Sequence, residues 1–249
     1  MARSPYRVQY SFGPGGLTPA VKWLIIANVA MFVATILAPA AAAPLALQAR
    51  DVVEHGWLWQ PVTYMFLHVG VFHILFNMLG LWMFGVDLER SWGTTFFTRF
   101  YMVTGIGAGL FTVLLSLLPF AFAHAIYYSP IVGAYGALFG LLLAYALYYP
   151  DRPIYLYFLF QIPAKYFVMI IGAVSLFSSI TDTGGGLAHL THLGGLVVAY
   201  LYLRGRRLLR FNPLAELKYR YLRWKINRMR KRFDVYSGGR ADDWDRHIH

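Results

Sequence analysis

Apolar residues run along this chain in six long stretches rather than alternating with polar ones. The stretches are Val21–Ala38, Phe66–Val86, Phe97–Leu118, Ala134–Tyr149, Pro163–Ile180 and Leu187–Leu203. A helix that crosses the hydrocarbon layer needs about 20 mostly apolar residues. The pattern therefore predicts six spanning helices. The fourth and sixth are short, which suits buried central helices that do not cross the full lipid thickness alone. The Ala-rich run Ala38–Ala46, with two prolines, is expected to be a loop. The first stretch does not resemble a cleaved signal peptide, because mixed residues precede it and it is long enough to span.

Composition agrees with this. Of 249 residues, 58% are hydrophobic and 13% charged, against about a quarter charged in an average soluble domain. Mean hydropathy is +0.50. Soluble globular and disordered classes are excluded. The absence of cysteine removes disulfide scaffolds, thiol nucleophiles, thiolate zinc sites and iron–sulfur centres.

Charge then gives direction. Fourteen of the 22 Lys and Arg and five of the 11 Asp and Glu fall in residues 204–249, so most of the net +11 is a basic tail. Arg3, Arg7 and Lys22, then Arg90 and Arg99, then Arg152 and Lys165 lie on the tail's side of the six predicted spans. Only Arg50 lies on the other side. Excess Lys and Arg marks the cytoplasmic loops, so both termini are expected in the cytoplasm. The domain plan is an N-terminal arm (residues 1–20), a six-helix membrane domain (21–203) and a basic tail (204–249).

Within the tail, Asn212-Pro213 reads as an N-cap and first helical residue. Leu214, Leu217, Tyr221 and Trp224 recur at helical spacing with Lys and Arg between them. This predicts a basic amphipathic helix on anionic lipid headgroups rather than a nucleic-acid-binding segment. From Ser237 onward no site is expected.

Polar residues inside apolar stretches are costly and usually face a protein interior or a water-filled cavity. His73 and Asn77 are four residues apart, on one helix face. His68 is expected at the span mouth. His189 and His192 are three apart at the start of the sixth stretch, and Tyr135 opens the fourth within Gly133-Ala-Tyr-Gly136. Gly136-x-x-x-Gly140 and Gly195-x-x-x-Ala199 make flat faces for close helix packing. The histidines permit a zinc site in principle, but His-Glu-x-x-His is absent, so neither metal nor cofactor is expected. The plainer alternatives for these residues are polar glue between helices or a proton path through a small transporter.

From Trp57 to Leu203 the chain resembles the rhomboid family of intramembrane serine proteases. Trp59-Gln60-Pro-Val-Thr sits at the family's Trp-Arg loop motif, with Gln for Arg. His73-Ile-Leu-Phe-Asn77 matches the second-helix His-x-x-x-Asn. Glu89-Arg90-Ser-Trp-Gly93 matches the segment after that helix, and Gly133-Ala-Tyr-Gly136 occupies the Gly-x-Ser-Gly position. His192-Leu-Gly-Gly195-x-x-x-Ala199 matches the sixth-helix His and its small-residue seam. The resemblance implies an all-α, six-transmembrane-helix bundle working on transmembrane segments of other membrane proteins, and the short loops and lack of a eukaryotic targeting signal point to a bacterial inner membrane.

It also implies roles. His192 takes the general-base position, and His73 and Asn77 the oxyanion positions. Tyr135 takes the position of the nucleophilic serine, and here the chain departs from the family. A serine hydroxyl needs a base within about 2.6–3.2 Å, and each oxyanion donor is worth about 100–1000-fold in rate. A tyrosine oxygen lies several bonds further from the backbone, and its ring fills the space a scissile peptide needs. A phenol, with a pKa near 10, makes an acyl-enzyme with too good a leaving group. Three explanations stand: a pseudoprotease that binds client helices, an inactivated variant of an active serine endopeptidase, or unusual chemistry. Ser129 is the nearest other hydroxyl in the sequence, and Asp182 is the one carboxylate near enough in sequence to orient His192. Glu89 and Arg90 are expected to fix loops, and Trp57, Trp59 and Trp92 to anchor at the interface.

Overall fold

The computed structural model describes residues 13–119, 121–156, 160–181, 186–209 and 213–230. Arg3, Arg7, Asp182, Asn212 and Ser237, and the side chains of Leu214 and Leu217, lie outside the described residues. The chain divides into two compact units, Met1–Arg204 and Gly205–His249.

Helices fall on all six apolar stretches. They are α1 (Pro19–Leu37), α4 (Val71–Trp92), α5 (Thr94–Ser116), α7 (Tyr135–Tyr148), α8 (Ala164–Thr181) and α9 (Gly186–Leu209). Short helices α2 (Ala49–Glu54), α3 (Gln60–Thr63) and α6 (Ala121–Tyr128) lie in the connections. Among the described residues, α1, α4 and α5 are long and apolar enough to cross a membrane.

Several expectations need correction. The second helix begins at Val71, not Phe66, because Gly70 takes a φ of +89° and breaks the chain direction there. His68 therefore precedes the helix. The same helix continues through Glu89-Arg90-Ser91-Trp92 and stops at Gly93, φ +79°, so that motif closes the helix rather than following it. The sixth helix is not short. It runs 24 residues, past Leu203 into the basic run, and Val197, Tyr200 and Leu201 on it are exposed. The Ala-rich loop is folded into two 3-10 turns, Pro39–Ala41 and Ala43–Leu45. The all-α expectation misses an antiparallel hairpin between α7 and α8, in which β1 (Pro153–Leu156) pairs with β2 (Phe160–Pro163).

The core gathers round α7, which packs against α4, α5 and α8. Ten of its fourteen residues are buried, so it is the interior helix its shortness suggested. Its glycines let the neighbours in. A Cβ on Gly136 would lie 2.6 Å from Ala108 Cβ, and one on Gly140 2.8 Å from Thr104 Cβ, both on α5. A Cβ on Gly195 of α9 would fall on the Gly136 carbonyl oxygen. The contact of α9 with α7 is therefore backbone against backbone, the way helices associate where lipid supplies no hydrophobic drive.

α1 is held largely at its start. Buried Glu89 accepts hydrogen bonds from Ala20 N (2.9 Å), Val21 N (3.0 Å), Thr94 Oγ1 (2.7 Å) and Thr18 Oγ1. It thus supplies acceptors for the unpaired N–H groups of the first turn. Arg90 donates to the carbonyls of Pro14 and Gly16, the latter at 3.0 Å. Both residues hold the approach to α1.

Gln60, at the departed Trp-Arg motif, is fully buried and accepts from Gln48 N at 3.0 Å. Trp59 donates to Pro44 O at 2.9 Å and stacks on Trp57. Trp92 is half-buried and meets Phe96, Phe100 and Tyr148 edge-on. Asp87 pairs with Arg152 at 2.8 Å and Asp151 with Lys165 at 2.7 Å.

The second unit contains α10 (Pro213–Arg230), helical from the proline onward. Tyr219, Tyr221, Leu222, Trp224 and Ile226 are exposed on it, and the Arg228 guanidinium lies 5.3 Å from the Trp224 ring centre.

Candidate active site

The residues singled out from α4, α7 and α9 meet at one place. Tyr135 is the first residue of α7, and its ring lies between two imidazoles. On one side it stacks on His73, with centroids 5.1 Å apart and planes 13° apart. On the other it meets His192, at 4.7 Å and 52°. Tyr135 and His192 touch as rings, and no hydrogen bond joins them among the described residues. Asn77, one turn below His73 on α4, is fully buried near the Tyr135 hydroxyl. Its Oδ1 has no hydrogen-bond partner of good geometry.

The His73 side is a prepared donor set. His73 Nδ1 accepts the Val69 N–H at 3.2 Å. A neutral imidazole that accepts at Nδ1 carries its proton on Nε2. Nε2 is buried without a partner, so this N–H is unused. Asn77 Nδ2 donates to the His73 carbonyl at 2.8 Å and keeps a second hydrogen. His73 and Asn77 thus each hold a further N–H beside Tyr135.

Gly133 is the wall behind His73. Its φ of +115° favours glycine, and a Cβ there would lie 2.6 Å from His73 Nε2. The Gly133 N–H donates to Tyr64 O at 2.9 Å, and the buried Tyr64 hydroxyl donates to Gly105 O at 2.6 Å. Tyr64 therefore ties the turn before α7 to α5.

The His192 side is a packed pocket. His192 is buried, stacked on Phe139 at 4.6 Å and 22°, with His189 edge-on at 5.1 Å. Its Nδ1 has no partner. The neighbouring Thr191 hydroxyl meets Thr112 on α5 at 2.9 Å, fixing the height of α9. Ser129 lies just past α6, where Leu47 and Ile131 form an isolated bridge, and no hydrogen bond joins it to His192 among the described residues. Tyr64, Thr112, Thr191 and Phe139 do not stand out in the sequence. Their signal is spatial only, since each is an ordinary residue for an apolar helix or its flank.

Comparison with known proteins places this arrangement. Residues 55–207 match the Rhomboid domain model. The chain is 28% identical to RHOMBOID-like protein 12, mitochondrial, of Arabidopsis thaliana over 60% of its own length and 46% of that protein. It is 32% identical to Rhomboid protein 1, mitochondrial, of Saccharomyces cerevisiae over 55% of its length and 38% of that protein. It is also 32% identical to Rhomboid protease GluP of Bacillus subtilis, over 59% of its length and 26% of that protein. The chain thus spans less than half the length of each of these relatives. A domain match over more than half of the residues, with three helices fit to cross a membrane, makes this chain an integral membrane protein of the rhomboid family.

Proposed function

We propose that this chain is a six-span rhomboid scaffold with both termini in the cytoplasm. In it Tyr135 takes the nucleophile position, so that it binds transmembrane helices of client proteins and cleaves them negligibly or not at all. The observation that carries this is the Tyr135 ring, seated between His73 and His192 where a scissile peptide would have to lie. His192 holds the base position, and His73 and Asn77 the oxyanion positions. At position 135 a phenol stands where the family has its serine hydroxyl. The basic tail rests on anionic lipid headgroups, and a bacterial inner membrane is the proposed setting, although two of the relatives named above are mitochondrial.

A second reading keeps the same site and makes the chain an inactivated form of a serine endopeptidase. The relative named as a protease, Rhomboid protease GluP, favours it. The test is cleavage of a reconstituted transmembrane substrate. The chain as it stands is expected to give no product above background. Tyr135→Ser is expected to gain cleavage that His192→Ala removes, if the remaining apparatus is competent. If Tyr135→Ser stays inert while transmembrane segments co-purify with the unaltered chain, the client-binding reading gains over the second. Cleavage by the unaltered chain, lost on His192→Ala, overturns both.

A further inference from the structure

Helix α10 of the second unit carries two apolar stripes, and a bilayer surface covers only one of them. Tyr221 and Trp224 belong to the first. Their ring centres lie 6.1 Å apart, and the Arg228 guanidinium lies 5.3 Å from the Trp224 ring centre. Aromatic rings with a cation over them suit lipid headgroups. Tyr219, Leu222 and Ile226 form the second stripe, and they are 60%, 43% and 47% exposed. Each of the three stands two residues from Tyr221 or Trp224, which in an α-helix is about 160° round the axis. A helix lying in the interface buries one face, so resting the first stripe on headgroups turns the second away from them.

The second stripe has the spacing of a coiled-coil seam. Tyr219, Leu222 and Ile226 are three and then four residues apart, and the sequence continues the alternation to Ala215 on one side and Met229 on the other. With Tyr219 and Ile226 at the a positions, Leu222 falls at d. The flanking e and g positions then select the partner. They hold Arg223 at e and Lys218 and Lys225 at g, all exposed. Two copies of this helix would set cation against cation in either orientation, which opposes self-pairing. A helix with Glu or Asp at its own e and g positions meets opposite charge at each of them.

We infer that the Tyr219–Leu222–Ile226 face of α10 is a docking surface for an acidic amphipathic helix of another protein, paired with it as a two-stranded coiled coil. At 18 residues α10 offers about two and a half heptads, a short seam suited to reversible pairing. The inference does not depend on what Tyr135 does.

The test uses the full chain in phosphatidylcholine nanodiscs and a fluorescent peptide about three heptads long, with Leu at a and d and Glu at e and g. Binding is read by fluorescence anisotropy. The heptad peptide is expected to bind, and a scrambled peptide of the same composition to bind at least about tenfold more weakly. Leu222→Gln with Ile226→Gln removes two apolar side chains from the pairing face and is expected to weaken the heptad peptide by more than about tenfold. Tyr221→Gln with Trp224→Gln, on the other stripe, is expected to change it by less than about twofold. Lys218→Glu, Arg223→Glu and Lys225→Glu together are expected to reverse the preference, so that a peptide with Lys at e and g binds better. That gain requires a folded helix, so the question stays decidable if the Gln variants misfold. No binding by the heptad peptide, equal binding by the scrambled one, or unchanged binding in the Leu222 and Ile226 variant overturns the inference. Two other occupants would also overturn it. Cross-linked dimers of the chain, lost in that same variant, assign the stripe to a second copy. The chain has no cysteine, so Leu222→Cys and Trp224→Cys each carry a single fluorophore. Quenching at position 222 as strong as at 224, by nitroxide lipid in discs with phosphatidylglycerol, assigns the stripe to lipid.

Discussion

Helices α7 and α8 are both short and apolar, yet they occupy opposite environments. α7 is buried over most of its surface. α8 buries Ala164, Val168 and Ser175 and turns Met169, Ile170, Val174 and Phe177 outward. Hydrophobicity does not separate the two, because lipid and protein interior are equally apolar solvents. What separates them is the small residues and the way each is held. α7 is gripped along its length through Gly136 and Gly140, whereas α8 is tied at its start, where Ala164 N donates to Arg152 O at 3.0 Å and Lys165 N to Pro150 O at 3.1 Å. α1 follows α8's plan, anchored through Glu89.

The sharpest way to break this comparison is to add one methyl group to each kind of helix contact. Gly195→Ala puts a Cβ onto the Gly136 carbonyl, so it is expected to cost more than about 2 kcal/mol of stability. Gly172→Ala on α8 meets only Leu196 Cδ1 at 3.5 Å, so it is expected to be neutral or to gain up to about 1 kcal/mol from helix propensity. Unfolding of both variants in one detergent, or in one bilayer, reads the difference. Equal effects would mean that α7 and α8 are gripped alike.

A smaller effect probes end-tethering. Glu89→Ala removes the charged acceptor for four donors around the start of α1 and is expected to cost about 2–3 kcal/mol. Limited proteolysis should then reach the segment before α1, while α7 stays protected. Smaller again is Thr112→Val, which removes the hydroxyl link to Thr191 and is expected to cost about 1 kcal/mol.

The smallest effect is outside the membrane helices. Hydrogen bonds from Arg50 and then Tyr127 hold the exposed Glu54 carboxyl below the usual carboxylate range. A depressed folded pKa gives a contribution that is full above the ordinary Glu range and fades as pH falls through the lower folded value. Tyr127→Phe should raise the Glu54 pKa as read by carbon-13 NMR, with no change at α7 or α8.

Much of this fold was legible because apolar length is a strong signal, and all six stretches carry helices. The meeting of His73, Asn77, Tyr135 and His192 was legible through motif order. The misses have local causes. Gly70 sits in an apolar run where a glycine also suits a helix face, and only its positive φ reveals the break before Val71. Glu89 looks like a loop residue because it is charged. It remains helical because it accepts hydrogen bonds from another helix, a partner distant in sequence. Gln60 reads as a departure from a motif, yet its buried amide still pins the Gln48 backbone. The β1–β2 hairpin hides in an aromatic run that suits an interface equally well.

Gly195 stands one helical turn from His192, and Gly136 stands beside Tyr135. The contact between those two glycines is therefore a gauge block for the site. Side chains can swing to absorb a small error in spacing, but two peptide backbones in contact have no such give. The gap between positions 135 and 192 inherits that stiffness. A change that loosens the seam would alter reach before it altered chemistry, and any attempt to install an attacking group at position 135 works at a separation the glycines have already set.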